Sequence, residues 1–178
     1  MTTVTRRTSE TEVTVELGGG GRTSADTTLP FLDHMLVTLA RYSDLSLAVH
    51  ASGDLDHHIA EDVALTLAEA LRQTVPDRAA RYGSAVVPMD DALVEAVLDV
   101  GGRPYYAGTL PDPMFDHFFR SLASAAGITL HIDVRRGQDH HHVLECAVKA
   151  IGLALRQALR QGDVVFSTKG SVSWDVQP

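Results

Sequence analysis

Six histidines and two glutamates of this chain fall at positions that repeat. His57-His58-x-x-Glu61 and His141-His142-x-x-Glu145 each place a carboxylate four residues after the first histidine, and His34 and His117, each preceded by an aspartate, lie upstream of the two clusters. On an α-helix, residues i and i+4 lie about 40° apart around the axis and adjacent residues about 100°. His57 with Glu61 can therefore face one ion, and His141 with Glu145 another, whereas His58 and His142 point elsewhere. Two helices then suit two ions, each taking a His/Glu pair from one helix, the spare histidine of the other, and one further imidazole from His34 or His117. Three imidazoles and one carboxylate leave open positions on a six-coordinate metal, as catalysis by a Lewis acid requires. Asp33 and Asp116 either orient an imidazole from behind or cap a helix. Histidine is a mediocre helix former, so helix propensity does not account for the pattern. His50, His131 and His140 fall outside it and read as surface residues.

The elements that must hold these groups also come in two copies. Pro30–Ala40 is echoed by Pro113–Ala123, Leu45–Val49 by Ile128–Ile132, and, after one inserted residue, His57–Glu61 by His141–Glu145. Such a register identifies a duplicated unit, with residues 1–83 as the first half-domain and 84–178 as the second, packed as one compact body. Val13, Val15 and Leu17 alternate with polar residues as a half-buried strand, as do Val94, Ala96, Leu98 and Val100. Leu32, Leu36 and Leu39, and in the second copy Phe115, Phe118, Phe119 and Leu122, recur at helical spacing. Longer amphipathic helices begin at the two His-His clusters, carrying Ala64, Leu67, Ala68 and Leu71 in one half and Val148, Ile151 and Leu155 in the other. The expected order is strand, strand, helix, strand, helix, twice: an α+β fold of two small sheets, each covered by two helices. The glycine run Gly18–Gly21 lacks a following helix pattern and reads as a turn.

Composition narrows the classes of partner. The chain has 178 residues, 44% hydrophobic and 21% charged, with a formal net charge of -8, and its basic residues are scattered. A surface of that kind offers nucleic acid no basic stripe. The single cysteine, Cys146, permits no intrachain disulfide and no Cys-based zinc cluster. A polar start and the lack of any run of eighteen apolar residues argue against export or a membrane span, so a cytoplasmic location is expected.

Taken together, Phe31-Leu-Asp-His-Met35, His57-His-x-x-Glu-Asp62, Gly102-Arg-Pro-Tyr105, Asp116-His-Phe-Phe-Arg120, Ala126-Gly-Ile-Thr-Leu-His131, His141-His-x-x-Glu145 and Ser167-Thr-Lys-Gly170 resemble the imidazoleglycerol-phosphate dehydratases over nearly the whole chain. The resemblance implies a fold like domain 2 of ribosomal protein S5 in each half. It also implies two Mn2+ ions per site and a homo-oligomer, typically of twenty-four chains, with sites between subunits. One ion would be held by His34, His58, His141 and Glu145, the other by His57, Glu61, His117 and His142. The phosphate of an imidazole-bearing substrate would meet Arg81, Arg103, Lys149, Ser167 and Lys169, a mixture of cations and a hydroxyl suited to a dianion. Glu10 matches a substrate-contacting acid. Tyr42 and Thr38 depart from the family pattern, which has histidine and glutamine there, and several loops are shorter.

The implied reaction is loss of water from D-erythro-imidazole-glycerol phosphate to give imidazole-acetol phosphate, in histidine biosynthesis. The C–H to be broken has no adjacent carbonyl. Two metals bound to both ring nitrogens would favour an imidazolate whose electrons can expel hydroxide. Glu145 or Glu61 would then take the proton and Glu10 would serve the leaving oxygen. Two other readings use the same residues: a dinuclear metallohydrolase, and a noncatalytic protein whose ions only join subunits.

Overall fold

The computed structural model describes residues 1–101 and 103–164. Each half opens with an antiparallel hairpin, β1 (Thr2–Arg7) with β2 (Thr11–Gly18) and β5 (Tyr82–Met89) with β6 (Ala92–Asp99). Alternation decides which face of β2 and β6 is covered: Val13, Val15 and Leu17, and Val94, Ala96 and Leu98, are all buried, while the residues between them face outward. Two further strands, β4 (Ser46–Gly53) and β8 (Thr129–Arg136), pair antiparallel with β2 and β6.

Between hairpin and helix each half carries a strand that periodicity does not reveal. These are β3 (Ser24–Asp26) and β7 (Tyr105–Ala107), three residues each, lying parallel to β4 and β8. The sheets thus run β1-β2-β4-β3 and β5-β6-β8-β7, the same order twice. Three residues are too few to show a period of two, which is why the expected order lacked them.

The helices are α1 (Pro30–Ser43), α2 (Asp56–Thr74), α3 (Pro113–Ala126) and α4 (His140–Ala158). Proline opens α1 and α3, where its missing N–H is not needed. Left-handed residues at matching positions of the repeat, Asp44 with φ 63° and Gly127 with φ 68°, close them. The long helices α2 and α4 lie on their own sheets, but the shorter ones cross over: α1 packs along α4 and α3 along α2. The two halves therefore share one core, in which Leu36, Leu39, Phe115, Phe119, Val148 and Ile151 are buried.

Close approach at two glycines fixes this packing. A Cβ on Gly83 would lie 1.9 Å from the Ala154 carbonyl oxygen, and one on Gly152 would lie 2.7 Å from the Tyr42 Cβ. The first lets β5 rest on α4 and the second lets α1 rest on α4. Among the described residues no helix is long and apolar enough to cross a membrane.

Candidate metal centre and active site

Because α1 runs beside α4 and α2 beside α3, histidine and glutamate from opposite halves meet. Glu145 Oε2 lies 3.2 Å from His34 Nε2 and 3.2 Å from His141 Nε2, although 111 residues separate His34 from Glu145. On the other helix pair, Glu61 Oε2 lies 3.5 Å from His117 Nε2. His57 is exposed in the first turn of α2, four residues before Glu61. The i/i+4 pairing expected on the long helices is present in the His141–Glu145 contact. The additional imidazole, however, reaches each carboxylate from the other half of the chain.

His58 and His142 do not join these clusters. His58 Nδ1 is 2.8 Å from Asp54 Oδ1 in the β4–α2 loop and 3.7 Å from Glu10 Oε2. His142 Nδ1 is 2.7 Å from Asp91 Oδ1, with Asp90 Oδ2 3.6 Å from its Nε2, both aspartates belonging to the β5–β6 turn. The hydrogen bond to Asp54 raises the His58 pKa above its ordinary value, and that to Asp91 does the same for His142. Hydrogen bonds from the Gln138 N–H, His142 and the Asp139 N–H in turn hold Asp91 down to about 2. Asp54 and Asp91 fix each ring through Nδ1 and so favour Nε2 for outside bonding. Asp54 stands four residues before His58 and was findable by spacing; Asp91, 51 residues before His142, was not.

Asp33 and Asp116 have a different task from the one expected of them. Asp33 Oδ1 accepts from the Thr27 N–H at 2.9 Å and from its hydroxyl at 2.6 Å. Asp116 accepts from the Tyr106 hydroxyl, the Leu110 N–H and Arg120. Neither orients an imidazole or caps its helix; both tie the preceding segment to it. The caps are Asp112 on α3 and Asp139 on α4, which accepts from the His141 and His142 N–H groups.

Lys149 stands at the first cluster, its Nζ 2.9 Å from Glu145 Oε1 and 5.8 Å from the centre of the Tyr42 ring. Burial alone would raise the Glu145 carboxyl, but hydrogen bonds from Lys149 and His34 bring it below its ordinary value. Tyr42 thus meets the cation through its ring face, and Thr38 is buried on α1. Arg81 precedes β5 with φ 76° and forks onto Asp99 at the end of β6, Nε to Oδ1 at 2.7 Å and Nη2 to Oδ2 at 2.8 Å. Arg103 is exposed before β7, its carbonyl accepting from the Thr129 hydroxyl. Ser167, Lys169 and Gly102 of the Gly-Arg-Pro-Tyr motif lie outside the described residues. His50, His131 and His140 are exposed.

The donors suit a divalent ion of borderline softness, being imidazole nitrogens and carboxylate oxygens drawn from two helices. The His34 and His141 rings stand 6.4 Å apart on either side of Glu145, and among the described residues no group of three such side chains is close enough to hold an ion. One chain thus brings histidine and glutamate together in two places, one on each helix pair. His34, His141 and His117 are about half exposed, with side-chain exposures of 51%, 52% and 49%.

Comparison with known proteins shows the family and the fold. A family model described as imidazoleglycerol-phosphate dehydratase matches residues 27–155. The chain is similar to proteins of that name from Pyrobaculum calidifontis, 48% identical with 93% of this chain and 96% of the relative covered, and from Granulibacter bethesdensis, 42% identical with 96% and 97% covered. Among solved structures it resembles IGPD from Pyrococcus furiosus in complex with (S)-C348, with a TM-score of 0.86, 37% identity and 94% and 99% coverage. Imidazoleglycerol-phosphate dehydratase from Staphylococcus aureus superposes with a TM-score of 0.81 at 30% identity, covering 91% and 100%.

Proposed function

The chain belongs to the imidazoleglycerol-phosphate dehydratase family, and from that premise we propose that its two His/Glu clusters are parts of a dimetal site completed by a second copy of the chain. The enzyme is a hydro-lyase that removes water from D-erythro-imidazole-glycerol phosphate to give imidazole-acetol phosphate, a step of histidine biosynthesis. Family membership closes the metallohydrolase and noncatalytic readings.

The observation that carries the proposal is the cross-half meeting of His34 and His141 at Glu145 and of His117 at Glu61, with His58 and His142 held apart by Asp54 and Asp91. His34, His141 and Glu145 would hold one ion with His58 from a second copy. His57, Glu61 and His117 would hold the other with His142 from a second copy. Two Mn2+ ions, when bound, supply the Lewis acidity that grips the substrate imidazole and eases loss of its ring proton. The half-exposed ligands support a homo-oligomer, for which the family's twenty-four chains is the natural form, acting in the cytoplasm.

The chain's own residues then divide the proton work. Glu145, held anionic by Lys149 and His34, or Glu61 on the opposite helix pair, takes the carbon-bound proton. Glu10, on the β1–β2 turn beside His58, donates a proton to the leaving oxygen. Arg81, oriented by Asp99, with Arg103, Lys149, Ser167 and Lys169, receives the phosphate dianion.

The test is turnover of imidazole-glycerol phosphate by metal-stripped protein with and without added manganese, with His58→Ala as control. Manganese-dependent imidazole-acetol phosphate that disappears in the variant is expected. A folded, fully metallated oligomer that forms no product would refute the reading.

A further inference from the structure

Asp62 is a buried carboxylate that the chemistry above does not use. It follows Glu61 on α2 with its side chain 12% exposed, and it reaches the first hairpin. Arg6 Nε on β1 donates to its Oδ1 at 2.8 Å, and the buried Thr11 hydroxyl at the start of β2 donates to its Oδ2. Between those strands the chain turns through Thr8, Ser9 and Glu10, with the Thr8 hydroxyl accepting from the N–H groups of Glu10 at 3.1 Å and Thr11 at 3.0 Å. The Asp54 N–H, donating to the Glu10 carbonyl at 3.1 Å, holds the turn from the other side. The turn that carries Glu10 is thus fastened both to the helix that carries His58 and to the loop that carries its partner Asp54.

The duplication supplies an internal control. The residue after Glu145, at the place of Asp62 in the repeat, is Cys146, whose thiol donates to the Val87 carbonyl within β5. The second hairpin closes through Asp90 and Asp91, whose carboxylates themselves meet His142. Among the described residues, a buried acid reaching the hairpin occurs only in the half whose turn presents Glu10. A buried carboxylate is costly unless donors meet it, so two donors from the hairpin make this contact a specific one.

We propose that Asp62 is a positioning residue, fastening the Thr8–Thr11 turn to α2 and thereby holding Glu10 beside His58. The inference rests on the role given to Glu10 in the reaction. Asp62→Asn offers one oxygen instead of two, and Thr11→Val removes the hydroxyl at nearly constant shape, so the second variant serves if the first folds poorly.

Hydrogen exchange at residues 8–11 of the metal-free protein reads the fastening directly, and steady-state kinetics with manganese read its effect. Both variants are expected to exchange faster in that turn alone and to lose kcat by roughly ten- to a hundredfold with little change in KM, as small displacements of a reacting group do. Glu10→Gln added to Asp62→Asn should then cost little more. Unchanged exchange in the turn, or a Glu10→Gln cost undiminished in the Asp62→Asn background, would overturn the proposal. If Glu10→Gln alone leaves kcat intact, the role of Glu10 falls, and the exchange result still decides the fastening: a loosened turn supports it and an unchanged one overturns it.

Discussion

The carboxylates near the clusters are committed to donors of several kinds, and those commitments have measurable consequences. Asp116 is the clearest case. Burial alone would raise its carboxyl, yet the Tyr106 hydroxyl, Arg120 and the Leu110 N–H bring it below its ordinary value. A carboxyl whose folded pKa is depressed adds stability that is fully present above the unfolded value, about 3.9, and is lost as pH falls through the folded value. Asp116→Asn is therefore expected to cost about 1–3 kcal/mol at neutral pH, and the gap from the parent should shrink below about pH 4. Chemical denaturation of both proteins from pH 7 to 3 checks this, and a constant gap would contradict it. The spacing of His141 and Glu145 made their contact legible in the sequence, because i and i+4 share a helix face whatever the fold. The arrival of His34 at Glu145 was not legible from spacing, since it depends on which helices lie side by side. For the same reason Asp33 and Asp116, beside histidines in sequence, turn out to serve the loops before them.

At the level of elements, the packing of sheet on helix leaves no room for a side chain at Gly83. Gly83→Ala would set its Cβ 1.9 Å from the Ala154 carbonyl oxygen, and backbone cannot move aside as a side-chain tip can. A loss of at least about 1–3 kcal/mol is expected from such overpacking, read as a lowered unfolding temperature; an unchanged temperature would mean that β5 and α4 are not held as closely as described. The long helices and the central strands were readable from their periods, because a buried stripe or an alternating face imposes itself over many residues. The strands β3 and β7 escaped because three residues carry no period and their pairing partners are distant in sequence. Left-handed closure of α1 by Asp44, where α3 has Gly127, was equally hidden, since aspartate does not announce such a turn as glycine does.

For the whole molecule, the proposed sharing of sites between chains leads to a mixing experiment. His34→Ala removes a ligand from the chain that presents the first cluster, and His58→Ala removes the one its neighbour would contribute. Each variant alone should be inactive, whereas co-assembled oligomers of the two should regain part of the activity, since some sites then draw His34 and His58 from intact sources. Mixed oligomers as inactive as the separate variants would argue for sites completed within one chain. The crosswise pairing of helices reaches further than this. In most duplicated genes one copy keeps the old task and the other is free to drift toward a new one. Here neither half has that freedom, for every cluster takes a histidine from one repeat and a glutamate from the other. A change tolerated in either copy must be tolerated by both clusters, so the two repeats are bound to evolve as a single unit.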